Sequence, residues 1–110
     1  MVSNRLLAEV YDEAALEVEL EDLYQKWGAL GFWSKRFHQK VSPGRKRYIG
    51  GVAAVRGVLT SRTDGFSFLK ECGRLDISVE NLILEPEWSD LFNETDRELA
   101  LKRLNLARKA

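Results

Sequence analysis

The first extended pattern of apolar residues lies between residues 12 and 30. Five apolar side chains recur there at helical spacing, within about 80° of one face at 100° per residue: Leu16, Leu20, Leu23, Trp27 and Leu30. Acidic residues occupy most of the remaining circumference, so the pattern predicts an amphipathic helix from Asp12, preceded by a separate short helix over residues 4–11. The alternation over residues 16–20 leaves a short exposed strand as the second interpretation.

Two shorter apolar patterns follow in the middle of the chain. Trp33, Phe37 and Val41 recur every four residues and stop at Ser42-Pro43-Gly44, which predicts a short aromatic helix ended by a turn. After the pair Gly50-Gly51, four aliphatic residues take the spacing of one helical face: Val52, Val55, Val58 and Leu59. Residues 60–65 are polar and predict a connector before the next helix.

The next helix has a predicted start and a predicted end. Asp64 is a suitable N-cap for a helix that carries Phe66, Leu69 and Cys72 on one face. Gly73 is well placed to end this helix in the left-handed conformation. Because Cys72 follows Leu69 at helical spacing, we expect it to be a buried structural thiol rather than a reactive one.

The last third of the chain predicts three further helical segments. Residues 75–79 alternate and could pair as a strand, but a helix with Asp76 or Ser78 as its cap and Val79 as its first apolar residue is the favoured interpretation. Pro86 suits the first turn of a helix that carries Trp88, Leu91 and Phe92. Thr95 and Glu98 have the spacing of a capping box for the final helix.

These patterns predict a mainly α fold, in which residues 1–110 form one compact domain of about five to seven helices, with one short β element as an open alternative. The composition agrees with an ordinary globular domain, since 45% of the 110 residues are hydrophobic and 31% are charged. At this length the chain can bury a core without disulfide or metal support.

The formal net charge of zero conceals a block arrangement of charge. Residues 1–30 contain seven acidic and two basic residues, a net of −5, whereas residues 31–62 contain eight basic residues and no acidic one, a net of +8. Residues 63–110 contain ten acidic and seven basic residues, a net of −3. Such asymmetry gives information about partners rather than about fold.

The basic block also contains four aromatic residues, Phe32, Trp33, Phe37 and Tyr48. We expect it to contact nucleic acid or an acidic partner, because cations neutralise phosphates while aromatic rings stack on bases. The candidate contacts are Lys35, Arg36, Lys40, Arg45, Lys46 and Arg47 for charge, with Trp33 and Tyr48 for stacking. In the alternative interpretation, Trp33, Phe37 and Val41 form a core stripe, and the cations are solvated or pair with the acids of the first helix.

A second candidate surface lies on the final helix. Its main apolar face consists of Ala100, Leu101, Leu104 and Ala107. Leu99 and Leu106 lie to one side of that face and project close together, so they could form the interface of a homodimer or of an adaptor module that has no role in nucleic-acid binding. A helix buried on one wide face is the competing interpretation.

The residue inventory gives little support to catalysis. With one Cys and one His, no nucleophile has a recognisable base beside it, a zinc site is disfavoured and no cofactor is expected. The apolar runs are far shorter than the roughly 20 residues that a membrane-spanning helix needs. The first residues also lack a secretory signal, so we expect a cytosolic protein without a membrane partner.

A set of residues over positions 65–104 resembles a sequence pattern of small uncharacterised bacterial helical proteins. The resemblance implies a small bacterial helical module and supplies no catalytic residue, cofactor or substrate. The residues that carry it are Gly65, Phe66, Leu69, Gly73, Arg74, Leu75, Asp76, Val79, Glu80, Leu82, Leu84, Pro86, Glu87, Trp88, Leu91, Phe92, Arg97, Glu98, Ala100, Arg103 and Leu104.

Overall fold

A computed structural model describes the backbone of residues 4–61 and 64–109 and the side chains of residues 12–61 and 65–107. This part of the chain forms a small bundle of helices and contains no strand, which confirms the predicted mainly α fold. The elements are α1 (Asn4–Ala29), α2 (Lys35–Val41), α3 (Gly51–Thr60), α4 (Asp64–Glu71), a 3-10 helix (Leu75–Ile77), α5 (Val79–Ile83), a second 3-10 helix (Pro86–Trp88) and α6 (Glu94–Lys109).

Helix α1 is one continuous helix rather than the predicted short helix followed by a longer one. Residues 4–27 contain neither glycine nor proline, so no residue in this stretch interrupts the helical hydrogen bonds. The predicted apolar face is confirmed at four positions, which are all buried: Leu16, Leu20, Leu23 and Trp27. Leu30 lies beyond the last helical residue and is 37% exposed, so its assignment to this face was wrong.

Helix α3 lies at the centre of the bundle, where it contacts α1, α2, α5 and α6. Its inward face buries Ala54, Val55 and Leu59, and the predicted Val52 and Val58 are half-buried at the edges of that face. Trp27 of α1 donates an indole hydrogen bond of 2.7 Å to the carbonyl oxygen of Ile77, which ties α1 to the first 3-10 helix. This buried hydrogen bond satisfies the polar atom of a large core side chain.

The end of α4 confirms one prediction and overturns another. Gly73 has a φ of +69°, and its N–H and that of Arg74 donate to the carbonyls of Lys70 and Leu69, which is the expected left-handed helix end. Cys72, in contrast, is exposed and not buried. The helix stops at Glu71, so Cys72 belongs to the turn and does not share the face of Leu69. The predicted Asp64 cap lies outside the described side chains.

Residues 75–79 form no strand, and Ser78 is the residue that starts α5. Its hydroxyl oxygen accepts a hydrogen bond of 3.1 Å from the backbone N–H of Asn81, which confirms Ser78 rather than Asp76 as the cap. Pro86 occupies the first turn of a helix as predicted, although this helix is a short 3-10 segment. Trp88 and Phe92 behind it are buried.

Helix α6 starts two residues earlier than predicted, and a different pair of residues caps it. The Asn93 side chain accepts a hydrogen bond of 2.9 Å from the backbone N–H of Asp96. The Asp96 carboxylate in turn accepts one of 3.1 Å from the backbone N–H of Asn93. This reciprocal arrangement is a capping box, and it replaces the predicted box of Thr95 and Glu98. The predicted box was wrong because it places the cap inside the helix.

Arg103 of α6 connects three elements at the C-terminal end of α3. Its guanidinium donates a hydrogen bond of 2.9 Å to the carbonyl oxygen of Val58, one of 3.1 Å to the Glu80 carboxylate, and a further bond to the carbonyl of Ser61. Glu80 is only 2% exposed, and its burial raises the pKa of its carboxyl group, against the opposing effect of Arg103. Arg103 therefore supplies the charge that makes this burial tolerable.

Substitution of Arg103 by Ala should lower the free energy of unfolding by about 3 kcal/mol, because it leaves a buried carboxylate without its counter-ion. Chemical denaturation measures this loss. In the Arg103→Ala background, the further change Glu80→Gln should restore part of the loss, since a neutral amide needs no counter-ion. If the second change restores nothing, the buried pair is not the reason for the loss.

Candidate nucleic-acid interface

The basic loop, defined here as residues 42–50, is a compact structure that closes on the end of α2. The backbone N–H of Arg45 donates to the carbonyl of Ser42 at 3.2 Å, and the N–H of Tyr48 donates to the carbonyl of Arg45 at 3.1 Å, so two turns follow each other. The N–H groups of Ile49 and Gly50 then both donate to the carbonyl of Lys40, at 3.0 and 3.3 Å. Residues 45–47 are therefore held near the C-terminal end of α2.

The six predicted cationic contacts are all exposed. They are Lys35, Arg36 and Lys40 on α2 and Arg45, Lys46 and Arg47 in the basic loop, and they are called the six cations below. Among the described side chains, none of the six cations forms a salt bridge with a carboxylate. The salt bridges found there involve other residues: Lys26, His38, Arg56, Arg74 and Arg103. Their charge is available to solvent.

Glu17 of α1 anchors the far side of the basic loop. Glu17 is 8% exposed, and the two oxygens of its carboxylate accept the Tyr48 hydroxyl at 2.6 and 2.9 Å. One of these oxygens also accepts the backbone N–H of Gly51 at 2.8 Å, at the first turn of α3. This acidic side chain thus joins α1, the basic loop and α3 through charge-assisted hydrogen bonds, which are stronger than neutral ones.

A second carboxylate, that of Glu13, reaches the same helix end. It accepts the backbone N–H of Val52 at 3.2 Å, and both carboxylates stand where the α3 dipole favours negative charge. Two glycines permit this close approach. A Cβ atom at Gly50 would lie 2.8 Å from a Glu13 oxygen, and one at Gly51 would lie 3.0 Å from Cγ of Glu17. The pair Gly50-Gly51 therefore serves contact with α1 and not only chain reversal.

Glu21 is the third acidic residue in this row, because residues 13, 17 and 21 are four apart on α1. Its carboxylate lies 2.5 Å from Nε2 of His38 on α2. The His38 ring is stacked on Tyr24, with centroids 4.1 Å apart and an interplanar angle of 2°. These three acids thus contact backbone amides, a hydroxyl and an imidazole. The alternative prediction, that the six cations pair with acids of the first helix, was wrong: no described carboxylate of α1 forms an ion pair with any of them.

The predicted aromatic stripe of α2 is confirmed at two of its three positions. Phe37 and Val41 are buried, and the Phe37 ring lies 5.3 Å from that of Trp27. Trp33 precedes the helix and is 52% exposed, so its assignment to a core stripe was wrong. It contacts Tyr24 edge-on at a centroid distance of 5.2 Å. Tyr48 is also partly exposed, although its hydroxyl is bound by Glu17.

The second predicted surface, on α6, is divided between core and solvent. Leu99 packs partly buried against the core, whereas Leu106 is 60% exposed, so the two side chains do not stand together in solvent. On the main apolar face Ala100 and Leu104 are buried as predicted, but Leu101 is exposed. An interface through Leu99 and Leu106 stays a prediction.

Comparisons with family models, with curated proteins and with solved structures find no match for this chain. The resemblance over residues 65–104 accordingly stays a prediction. Within residues 12–61 and 65–107, no three His, Cys, Asp or Glu side chains come together in a way that could hold a metal ion. None of the helices in the described ranges is both long enough and apolar enough to cross a membrane.

Sequence reasoning missed the roles of Glu13 and Glu17, which hold the basic loop and the start of α3 without contributing to the positive charge. A signal for the two acids exists: they are four residues apart and adjacent to the apolar face of α1, and a Gly-Gly pair precedes α3. The pairing of these features requires the tertiary structure, because 34 residues separate Glu17 from Gly51.

The contact between Tyr48 and Glu17 should be visible in an alkaline titration. The hydrogen bond to Glu17 raises the pKa of Tyr48 from 10.0 to about 12. The pKa of Tyr48 is higher in the folded state than in the unfolded state. The stabilisation from this hydrogen bond is therefore complete below pH 10 and is lost as the pH rises towards 12. Tyrosinate absorbance of the wild type minus that of Tyr48→Phe should give a midpoint near 12. A midpoint near 10.0 would show that the bond is absent.

Proposed function

We propose that this protein binds nucleic acid through the six cations and the aromatic residues beside them, in the cytosol. The observation that most supports this proposal is that the acidic residues of α1 bind groups other than the six cations. The acidic row of α1 engages Tyr48, His38 and the N-terminus of α3, so the six cations keep their charge exposed. An exposed cluster of this kind attracts a polyanion even where the net charge of the chain is zero.

Two features favour nucleic acid over an acidic protein as the partner. Trp33 and Tyr48 offer partly exposed rings at the two ends of the cationic stretch, and bases, unlike acidic side chains, have faces that stack on such rings. The cations are also distributed along both α2 and the basic loop, so a strand that follows this surface can place several phosphates near them. Arginine and lysine side chains that contact phosphates position the nucleic-acid backbone and do not by themselves distinguish one base sequence from another.

The second candidate function is an adaptor role through α6. The exposed leucines of that helix support it, but less strongly than the six cations support nucleic-acid binding. Leu106 and Leu101 are exposed apolar residues on a terminal helix, as a docking surface would require. Leu99, however, contributes to the core, so the predicted pair supplies only one side chain to a partner. This leaves the cationic stretch as the better candidate.

Binding should depend steeply on salt. If the six cations contact six phosphates of a single strand, the logarithm of affinity should fall with a slope of about −4 against the logarithm of salt concentration, or about 300-fold between roughly 50 and 200 mM. Fluorescence anisotropy with labelled oligonucleotides measures this slope. The triple variant Arg45→Ser, Lys46→Ser, Arg47→Ser should reduce its magnitude by about 2.

The matched control is the triple variant Lys70→Ser, Arg74→Ser, Lys102→Ser, which removes the same charge from exposed positions elsewhere. It should leave the slope near the wild-type value. Equal losses in the two triple variants would mean that general charge, and not the basic loop, attracts the oligonucleotide. Absence of binding at low salt would refute the proposed function.

A further inference from the structure

The ring of Trp33 lies flat on the backbone of α1. A Cβ atom at Gly28 would lie 2.1, 2.2 and 2.3 Å from Cη2, Cζ3 and Cζ2 of the indole, which are consecutive ring atoms. Three nearly equal distances of this kind arise only above the face of a ring, because a position beyond its edge would be much closer to one atom than to the others. One face of the six-membered ring therefore rests on Gly28.

About half of Trp33 is nevertheless open to solvent. Trp33 is 52% exposed even though Gly28 covers one face and Tyr24 contacts the ring edge-on at 5.2 Å. Tyr24 is itself fixed by stacking on His38 at 4.1 Å. A large apolar ring that packs against Gly28 and Tyr24 and is still half exposed is ordered before any ligand arrives, so little conformational entropy is lost when a flat group stacks on it.

The cations start directly after this ring. Lys35 and Arg36 are the first residues of α2, and the seven residues of that helix extend about 10 Å before the basic loop begins. A chain whose base lies on Trp33 would therefore bring its next phosphates over α2 and the basic loop.

We infer that the nucleic acid bound at this surface is single-stranded and that Trp33 is the platform on which one of its bases stacks. This inference rests on the proposed function and names its substrate class. Bases in a duplex are already stacked on their neighbours and would have to be extruded before an indole could cover them. Bases of a single strand are free to leave their neighbours, and aromatic stacking is largely independent of base identity.

The test compares a single-stranded oligonucleotide with a duplex of the same length at low salt. Trp33→Ala should weaken single-strand binding about 5- to 150-fold and leave duplex binding within about twofold. Gly28→Ala is the second variant, since its added Cβ must displace the indole while alanine improves helix propensity. It should weaken single-strand binding in the same direction, and thermal denaturation checks that both variants fold.

Tryptophan fluorescence supplies an independent readout in the wild type. Trp27 and Trp88 are 6% and 4% exposed, so quenching by an added oligonucleotide reports on Trp33. Saturable quenching by the single strand alone is expected. Equal quenching by the duplex, or equal loss of affinity for both ligands in Trp33→Ala, would overturn the inference and leave the proposed function standing. Failure of both ligands to bind would refute the proposed function itself.

Discussion

The contact between the Glu17 carboxylate and the first turn of α3 is the interaction on which the rest of this surface depends. Helix α3 has a glycine at its N-cap and no capping side chain of its own there, so its first N–H groups need acceptors from elsewhere. Glu17 and Glu13 supply them from α1, across a distance that Gly50 and Gly51 make short. Because Glu17 also binds Tyr48, the same carboxylate fixes the path of the basic loop between α2 and α3.

The opposite end of α3 is stabilised in the complementary way. There Arg103 donates to the carbonyls of Val58 and Ser61, so a cation meets the negative end of the helix dipole as carboxylates meet the positive end. The central helix is thus held at both termini by charged side chains of α1 and α6. Glu13, Glu17 and Arg103 are thus used within the fold, whereas the six cations are exposed together with other charges of both signs. The net charge of zero is therefore a sum over the whole chain and does not describe how charge is distributed around the basic loop.

Much of the fold could be predicted from the sequence, because periodic burial controls it directly. The face of Leu16, Leu20 and Leu23 and the left-handed turn at Gly73 follow from local patterns, whereas the local pattern left Asp76 and Ser78 both open as the cap of α5. Two errors occur where a helix ends earlier than its apolar pattern: Leu30 and Cys72 continue a helical spacing but lie beyond the last helical residue. Trp33 has the spacing of a core residue, yet it precedes α2 and rests on Gly28. The functions of Glu17 and Gly28 could not be predicted, since both depend on partners brought close only by tertiary packing.

The role of Glu17 gives the most direct test of this account, because two explanations predict opposite signs. If Glu17 acts mainly as a negative charge near the six cations, its removal should strengthen oligonucleotide binding. If it orders the basic loop through Tyr48 and Gly51, its removal should weaken binding, since ordering the loop then opposes association. The measurement is the affinity of Glu17→Gln for a single-stranded oligonucleotide, with the exposed Glu19→Gln as the control of equal charge. We expect about fivefold weaker binding for Glu17→Gln alone, equivalent to about 1 kcal/mol of lost charge-assisted hydrogen bonding. Equal strengthening in both variants would contradict it.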